Sequence, residues 1–353
     1  MQIIKPGINI NFIGRRHIGF GLSGLMILMT IFLLILRGGP NYGVDFSGGV
    51  LIQVQLLSEK KSPAEIKDAL RPVQLEKSMV QEFGEQGEEY LIRIRETNIE
   101  LEGLSDRVER ALQDRFGAQV EMRRVEMVGP KVGEDLRQKA LFAIFYALLF
   151  IAIYISGRFE LKWAMSIIMA LSLAIVVYVF SRIGAGVTWL ILIALVVTIA
   201  LCWFLNLKYA LGAIIALIHD MAITMGAFAL TDKEISLSII AAFLTIVGYS
   251  LNDTIIVFDR IRENSRRFRR RSFAQTINTS INETLSRTVL TSTTTLIVVL
   301  ALFILGGGVI HDFAFALLIG VLTGTYSSIF VASPVLLIWE GTSADPKEQR
   351  SLA

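Results

Sequence analysis

Long, almost uncharged apolar runs recur along this chain, at about Ile18–Leu36, Ala140–Ile155, Trp163–Phe180, Thr188–Leu205, Tyr209–Leu230, Ile235–Phe258, Val289–Leu305 and Phe313–Ile338. A helix needs about 20 apolar residues to cross the ~30 Å hydrocarbon core of a bilayer, and it satisfies its own backbone polar groups while doing so. The runs therefore specify a polytopic α-helical membrane protein with about eight helices. Hydrophobic residues at 53% of the 353 and a mean hydropathy of +0.59 agree with that class.

Orientation follows from the basic residues. Lys5, Arg15 and Arg16 precede the first run, and a dense cluster from Arg260 to Arg271 lies between the sixth and seventh. Cytoplasmic loops carry the excess of Lys and Arg, so both segments and both termini are expected in the cytoplasm. Such a cluster is chiefly a topology determinant, although it suits contact with anionic lipid or an acidic partner. The loops Ser181–Val187, Thr231–Glu234 and Gly306–Asp312, with the large segment Arg37–Gln138, then face outward. Leu36-Arg37-Gly38-Gly39-Pro40 offers no small-x-small cleavage site, so the first run reads as a retained anchor. The expected partition is 1–36 (N-terminus and first helix), 37–138 (outward module), 139–160 (second helix), 161–206 (a hairpin), 207–340 (four helices with a basic loop at 260–285) and 341–353 (tail). A net charge of +3 in such a chain does not call for nucleic acid.

The outward segment changes pattern. Val50–Leu57 alternates apolar and polar residues as a half-buried strand does, and Ser62-Pro63-Ala64-Glu65 has capping-box spacing with proline at the first helical position. Ser78–Phe83 and Tyr90–Ile94 read as strands around a turn at Gly84–Glu89, followed by a helix near Leu104–Phe116 and a last strand over Gln119–Met127. The order is β-α-β-β-α-β, an α+β module of the ferredoxin-like kind. Cys202 is the one cysteine, so no disulfide staples the module and redox chemistry is not its role.

Ionisable residues inside the apolar runs are the candidate site. Asp253 lies in Ser250-Leu251-Asn252-Asp253-Thr254 within the sixth run, where a carboxylate costs roughly 2.5–3.5 kcal/mol and needs a partner, water or a protonation cycle. Arg287 precedes the next run and is expected at matching depth, within reach of Asp253. That pair is either a static tie fixing helix register or one that opens and closes to gate a proton. His219 and Asp220 lie mid-way along the fifth run; as neighbours they are not expected to share one helix face, and they suit either a proton relay or helix-to-helix hydrogen bonding. Asp312, beside His311 at the outer mouth of the last run, is a candidate for proton entry or a simple charge at a helix start. Neither a phosphate-cradling Gly-x-x-x-x-Gly-Lys-Ser/Thr loop nor a His-Glu-x-x-His helix occurs, so catalysis, metal and cofactor are not expected. Asp45 reads as satisfying local amides in a turn, and the small residues Thr291–Thr295, Gly320, Gly324, Ser327 and Ser328 read as close-packing faces.

Several motifs together resemble SecF subunits of the SecD/SecF protein-export family, in the resistance-nodulation-division superfamily. They are Gly43-Val44-Asp45-Phe46-Ser47-Gly48-Gly49, Val128-Gly129-Pro130-Lys131-Val132-Gly133, Ala216-Leu217-Ile218-His219-Asp220, Gly248-Tyr249-Ser250-Leu251-Asn252-Asp253-Thr254 with Phe258 to Asn264, and Leu285-Ser286-Arg287-Thr288 with Thr291 to Thr295. The resemblance implies a resistance-nodulation-division-like helix bundle and a partner to SecD that assists the SecYEG channel. It also implies use of the proton gradient to draw preproteins across, with YajC and YidC as further partners and the proton-transport role falling on Asp253 and Arg287. A proton-coupled exporter of small molecules or lipids from the same superfamily, and a non-transporting scaffold, are the alternatives.

One segment departs from the family pattern, because about 46 residues separate Arg158-Phe159-Glu160 from the helix starting near Lys208. Leu161–Leu171 resembles Leu207–Leu217, so the extra hairpin reads either as a partial duplication or as chance likeness between apolar runs. Leu173 and Ala174 stand where His219 and Asp220 would, and the copied helix is expected at the periphery.

Overall fold

The computed structural model describes residues 8–57, 60–76, 78–83, 89–94, 103–117, 120–161, 163–182, 186–268 and 270–343. The expected turn at 84–88, the centre of the loop at 183–185, Arg269 and the tail beyond 343 lie outside the described residues.

The membrane part opens with α1 (Arg16–Leu36) and resumes after the module with α5 (Pro130–Ile155), α6 (Trp163–Arg182), α7 (Val187–Phe204), α8 (Lys208–Thr231), α9 (Leu237–Arg267), α10 (Phe273–Leu305), α11 (Gly308–Ser327) and α12 (Ser333–Ser343). Among the described residues seven helical stretches are long and apolar enough to cross a bilayer, and Trp189–Phe204 is a shorter apolar helix. The chain is a multi-pass membrane protein. α8 sits centrally against α1, α5, α9 and α11, whereas α6 packs on α5 and α7. Two crossings are irregular. α5 ends in a π-helical turn at Ser156–Glu160, and α11 passes through another at Ser328–Ala332 before α12. Pro334 has no N–H to continue the helical ladder, and the Ser333 hydroxyl donates instead to the Ser328 carbonyl at 2.7 Å.

The segment expected as a basic loop over 260–285 is largely helical, with 268–272 as the connection. Ser272 and Gln275 form a capping box that starts α10 well before its apolar run. The added turns are held by side chains: Arg260 donates to Glu283 at 2.5 Å, and Asn282 and Asn278 grip the backbone of residues 10–13. This places the N-terminal segment and the basic cluster at one end of the bundle.

The module occupies the other end. A short helix α2 (Val44–Ser47) precedes β1 (Gly49–Leu56), α3 (Pro63–Ala69), β2 (Met79–Phe83), β3 (Glu89–Ile94), α4 (Leu104–Phe116) and β4 (Val120–Val128). The sheet is antiparallel in the order β2-β3-β1-β4, with Ile52 opposite Ile92 and Val125. Val50, Ile52, Val54 and Leu56 alternate onto the face covered by α3 and α4, where Ile66, Leu70, Val108 and Leu112 complete a dry core. The capping box of α3 is formed through Ser62 and Glu65.

The opposite face of the sheet looks toward the bundle. Gly48, at φ +71°, lies so close to Pro130 that a Cβ would come within 2.8 Å of its Cα, so only glycine fits where β1 begins beside α5. Tyr42 bridges to Ile235, and Arg93, buried on β3, pairs with Glu234 in the α8–α9 connection. Asp45 does not serve its own turn: its Oδ2 accepts from the Leu237 amide at 2.8 Å, capping α9 from 192 residues away in the chain.

Candidate functional site

A carboxylate in a membrane helix is tolerable when hydroxyls and an imidazole replace water around it. α8 carries Asp220 and His219 at its middle, both buried. Asp220 Oδ2 accepts from Ser250 of α9 at 2.5 Å and from Ser327 of α11 at 2.8 Å, while Oδ1 lies 2.9 Å from His219 Nδ1. The two neighbours therefore meet, contrary to the expectation that they point apart. The imidazole bends back over the carboxylate, with both side chains buried.

The other ring nitrogen, His219 Nε2, lies 3.0 Å from Ser23 Oγ on α1, and Ser23 Oγ lies 3.2 Å from the Tyr326 hydroxyl. Tyr326 donates to the Gly19 carbonyl at 2.7 Å. Its hydrogen being used there, Ser23 donates to Tyr326 and accepts from Nε2–H. One proton is then shared across the Nδ1–Oδ1 contact, on the carboxyl or on the ring. In either arrangement the pair is neutral overall, so the proton can shift without leaving net charge in the apolar core.

Asp253 lies one turn along α9 from Ser250 and is also buried. Its Oδ2 accepts a long hydrogen bond, 3.4 Å, from Ser292 of α10, whose hydroxyl is 2.6 Å from Thr325 of α11. Arg287 makes no direct contact with it, although its guanidinium lies near enough for its charge to act on the Asp253 carboxylate. Its side chain is exposed and makes no ion pair or hydrogen bond among the described residues. α10 begins at Phe273 rather than near Arg287, and Asp253 stands level with Ser292, about 7.5 Å further along. Thr288, buried on the same face one turn before Ser292, has no partner for its hydroxyl among the described residues.

Asp312 belongs to a separate cluster at the module end. Lys233 donates to its Oδ1 at 2.5 Å, His311 Nδ1 lies 3.2 Å away, and the His311 ring stacks on Phe303 at 4.3 Å. It is thus the partner of a lysine rather than a lone charge at a helix start. This cluster, Asp45 and Glu234 border a cleft of about 760 Å³ between the open face of the sheet and the ends of α9, α10 and α11. Among the described residues no group of His, Cys, Asp and Glu is arranged to hold a metal ion.

Ser23, Ser292, Thr325, Tyr326 and Ser327 were not visible as site residues in the sequence. The available signal was hydroxyls placed in apolar helices at positions that face a carboxylate, and they read equally well as packing.

Fold and site together define a helical membrane protein of the resistance-nodulation-division type, with polar groups buried at the contacts of its central helices and one α+β module at one end. Residues 107–199 and 179–342 match the family described as protein export membrane protein SecD/SecF, C-terminal, and residues 34–56 match the SecD/SecF GG motif. The protein translocase subunit SecF of Magnetococcus marinus is 42% identical over 357 residues, covering 100% of this chain and 97% of that one. That of Vibrio alginolyticus is 40% identical over 338 residues, 95% and 91% of the two chains. The crystal structure of SecDF from Thermus thermophilus, a translocon-associated membrane protein, superposes with a TM-score of 0.71 at 29% identity. SecDF in a super-membrane-facing form gives 0.58 at 28%. This chain covers 40% and 41% of those two solved chains, and 97% and 100% of it is matched. The chain belongs to the SecD/SecF family of protein-export membrane proteins.

Proposed function

We propose that this chain is an auxiliary subunit of the Sec protein-export machinery that works beside a SecD partner and uses the proton gradient to promote movement of preproteins through SecYEG. The observation that carries the proton part is the buried network of Ser23, His219, Asp220, Ser250 and Ser327, which joins four helices around the Asp220 carboxylate. Asp253 is the second proton-binding group, one turn along α9 and facing α10. Arg287, whose charge acts on Asp253 without a direct ion pair, is available to pair with it in a second arrangement of α10. Asp312 with Lys233 stands at the outer mouth. The solved relatives support the SecD partnership, because there the matched region is two fifths of a longer chain, SecDF. YajC and YidC remain partners by resemblance.

In this reading the membrane is the bacterial inner membrane, the module faces outward and both termini are cytoplasmic, which puts the basic cluster inside. The test is export of a signal-peptide-bearing reporter in cells whose one copy carries Asp220→Asn or Asp253→Asn. Membrane abundance and co-purification of SecD are followed in the same samples. Lost export with abundance and SecD binding intact is the expected result. Normal export in both variants would refute proton coupling through these carboxylates.

A further inference from the structure

The hairpin of α6 and α7 packs on α5 but leaves a gap. Between the three helices lies a cavity of about 390 Å³, walled by Phe145 and Leu149 of α5, Leu173 and Val177 of α6 and Leu190 of α7. It exists because Ala170, Ala174 and Ala194 face it, leaving room that larger side chains would fill. The lining runs about 12 Å along α6 and lies in the half of the bundle nearer the module: α5 enters its apolar run at Ala140, and α6 ends at Arg182. At this depth there is no water to fill an apolar cavity, and an empty one forfeits dispersion contacts, so hydrocarbon from the lipid phase is the occupant that fits.

The rim supplies the polar half. Tyr178 lines the cavity, and Arg182, one turn further along α6, stands 5.6 Å over its ring with Nε 3.4 Å from its hydroxyl. Arg182 is the one charged residue between Lys162 and Lys208, and no acidic residue occurs from Leu161 to His219. It is exposed and has no ion-pair partner among the described residues. A lone arginine at the module end also runs against the charge bias that places the basic cluster at the other end. A guanidinium at headgroup level above an apolar slot matches a phosphate above an acyl chain.

We infer that this hairpin and α5 form a binding site for one anionic glycerophospholipid of the module-side leaflet, with its phosphate on Arg182 and one acyl chain in the cavity. The bound lipid fills the gap left where α6 packs incompletely on α5 and α7.

The full-length protein, purified in detergent, is labelled with phosphatidylglycerol carrying a mid-chain diazirine, and the cross-linked peptides are mapped. Labelling should concentrate on residues 142–149, 170–178 and 190–194. Unlabelled phosphatidylglycerol should displace it better than phosphatidylcholine, and glycerol phosphate without chains should not displace it. Arg182→Gln, an exposed substitution that leaves the fold intact, should weaken competition by phosphatidylglycerol about five-fold and competition by phosphatidylcholine, whose choline offsets the phosphate charge, by less. Ala174→Trp, which fills the slot, should abolish the concentrated labelling. Labelling spread equally over the lipid faces of α1 and α10 would overturn the site. Unchanged competition in Arg182→Gln would overturn the role of the headgroup, and displacement by glycerol phosphate alone would show an anion site without a chain.

Discussion

The contact between Asp45 and the start of α9 gives the most direct test of how the module is joined to the membrane helices. In Asp45→Ala the Leu237 amide loses the oxygen that accepts from it at 2.8 Å. No side chain of the Ser236 N-cap replaces it, because Ser236 makes no capping bond and its hydroxyl lies 2.7 Å from Ser238. Loss of an N-cap acceptor costs ~0.5–2 kcal/mol, and loss of a negative charge at a helix N-terminus about 0.3–1 more. The contact is exposed, so the lower half of that sum applies, about 1–2 kcal/mol, which is roughly a 5- to 30-fold rise in local opening. Hydrogen exchange of residues 236–241 in the detergent-solubilised protein reads this directly, with the amides of α8 as the internal reference. Asp45→Asn keeps an acceptor and loses the charge, so its rise should be about five-fold or less. If Asp45→Ala leaves exchange of the first turn of α9 unchanged, the capping argument is wrong.

Three further outcomes follow from the same geometry. Arg287→Ala should leave unfolding within ~0.5 kcal/mol of the parent, because the exposed side chain holds no partner among the described residues. A loss of several kcal/mol in denaturant titration would mean that it pairs in the resting state after all. Gly324→Val should force α11 away from α9, since even a Cβ there would lie 2.9 Å from the Ser250 Cβ; a cost of about 1–3 kcal/mol in thermal unfolding is expected, with Gly307→Ala, in open space, as the neutral control. In the module, hydrogen bonds from the Ser62 backbone and hydroxyl hold the Glu65 carboxyl below its ordinary value of 4.5. A depressed folded value means that the protection it lends to α3 is fully present above pH 4.5 and fades as pH falls through the lowered value. Exchange at residues 64–66 measured from pH 6 to pH 3 should show that loss in the parent and not in Glu65→Gln.

How much of this was legible in the sequence depended on whether a residue's meaning is local. Strand alternation in Val50–Leu57, the Ser62–Glu65 spacing and the apolar runs are local patterns; they gave the strand, the capped helix and seven of the about eight expected crossings, the run at Thr188–Leu205 forming a shorter apolar helix. Asp220 and Asp253 stood out because a carboxylate in an apolar run has no cheap explanation. Their partners did not, because the rotation of α1, α10 and α11 about their own axes decides whether Ser23, Ser292 and Ser327 face a carboxylate or merely a neighbouring helix. Arg287 was misplaced for a related reason. Its depth was counted from the start of an apolar run, whereas a polar stretch from Phe273 to Ser286 continues the same helix, pinned by Arg260 and by the backbone of residues 10–13. Asp45 was read as a turn residue since its partner, Leu237, is 192 positions away.

These long-range contacts converge on α9. Its first residues are held by the module through Asp45, the Tyr42–Ile235 bridge and the Arg93–Glu234 pair. Its middle presents Ser250 to Asp220 on α8 and Asp253 to Ser292 on α10, and its last turns are tied to α10 through Arg260 and Glu283. A shift of α9 along its axis by a single turn, about 5.4 Å, would carry both polar contacts out of register. A much smaller shift suffices to break the 3.4 Å bond of Asp253, which is already near the limit of a hydrogen bond, while the 2.5 Å bond from Ser250 persists. The two carboxylates therefore differ in how firmly the bundle holds them. Asp220 is gripped by three helices besides its own neighbour His219, if Ser23 is counted through the ring, and Asp253 by one long contact. Movement of the module relative to the membrane would be felt first at Asp253, and movement of a proton at Asp253 would be felt first in the packing of α9 on α10.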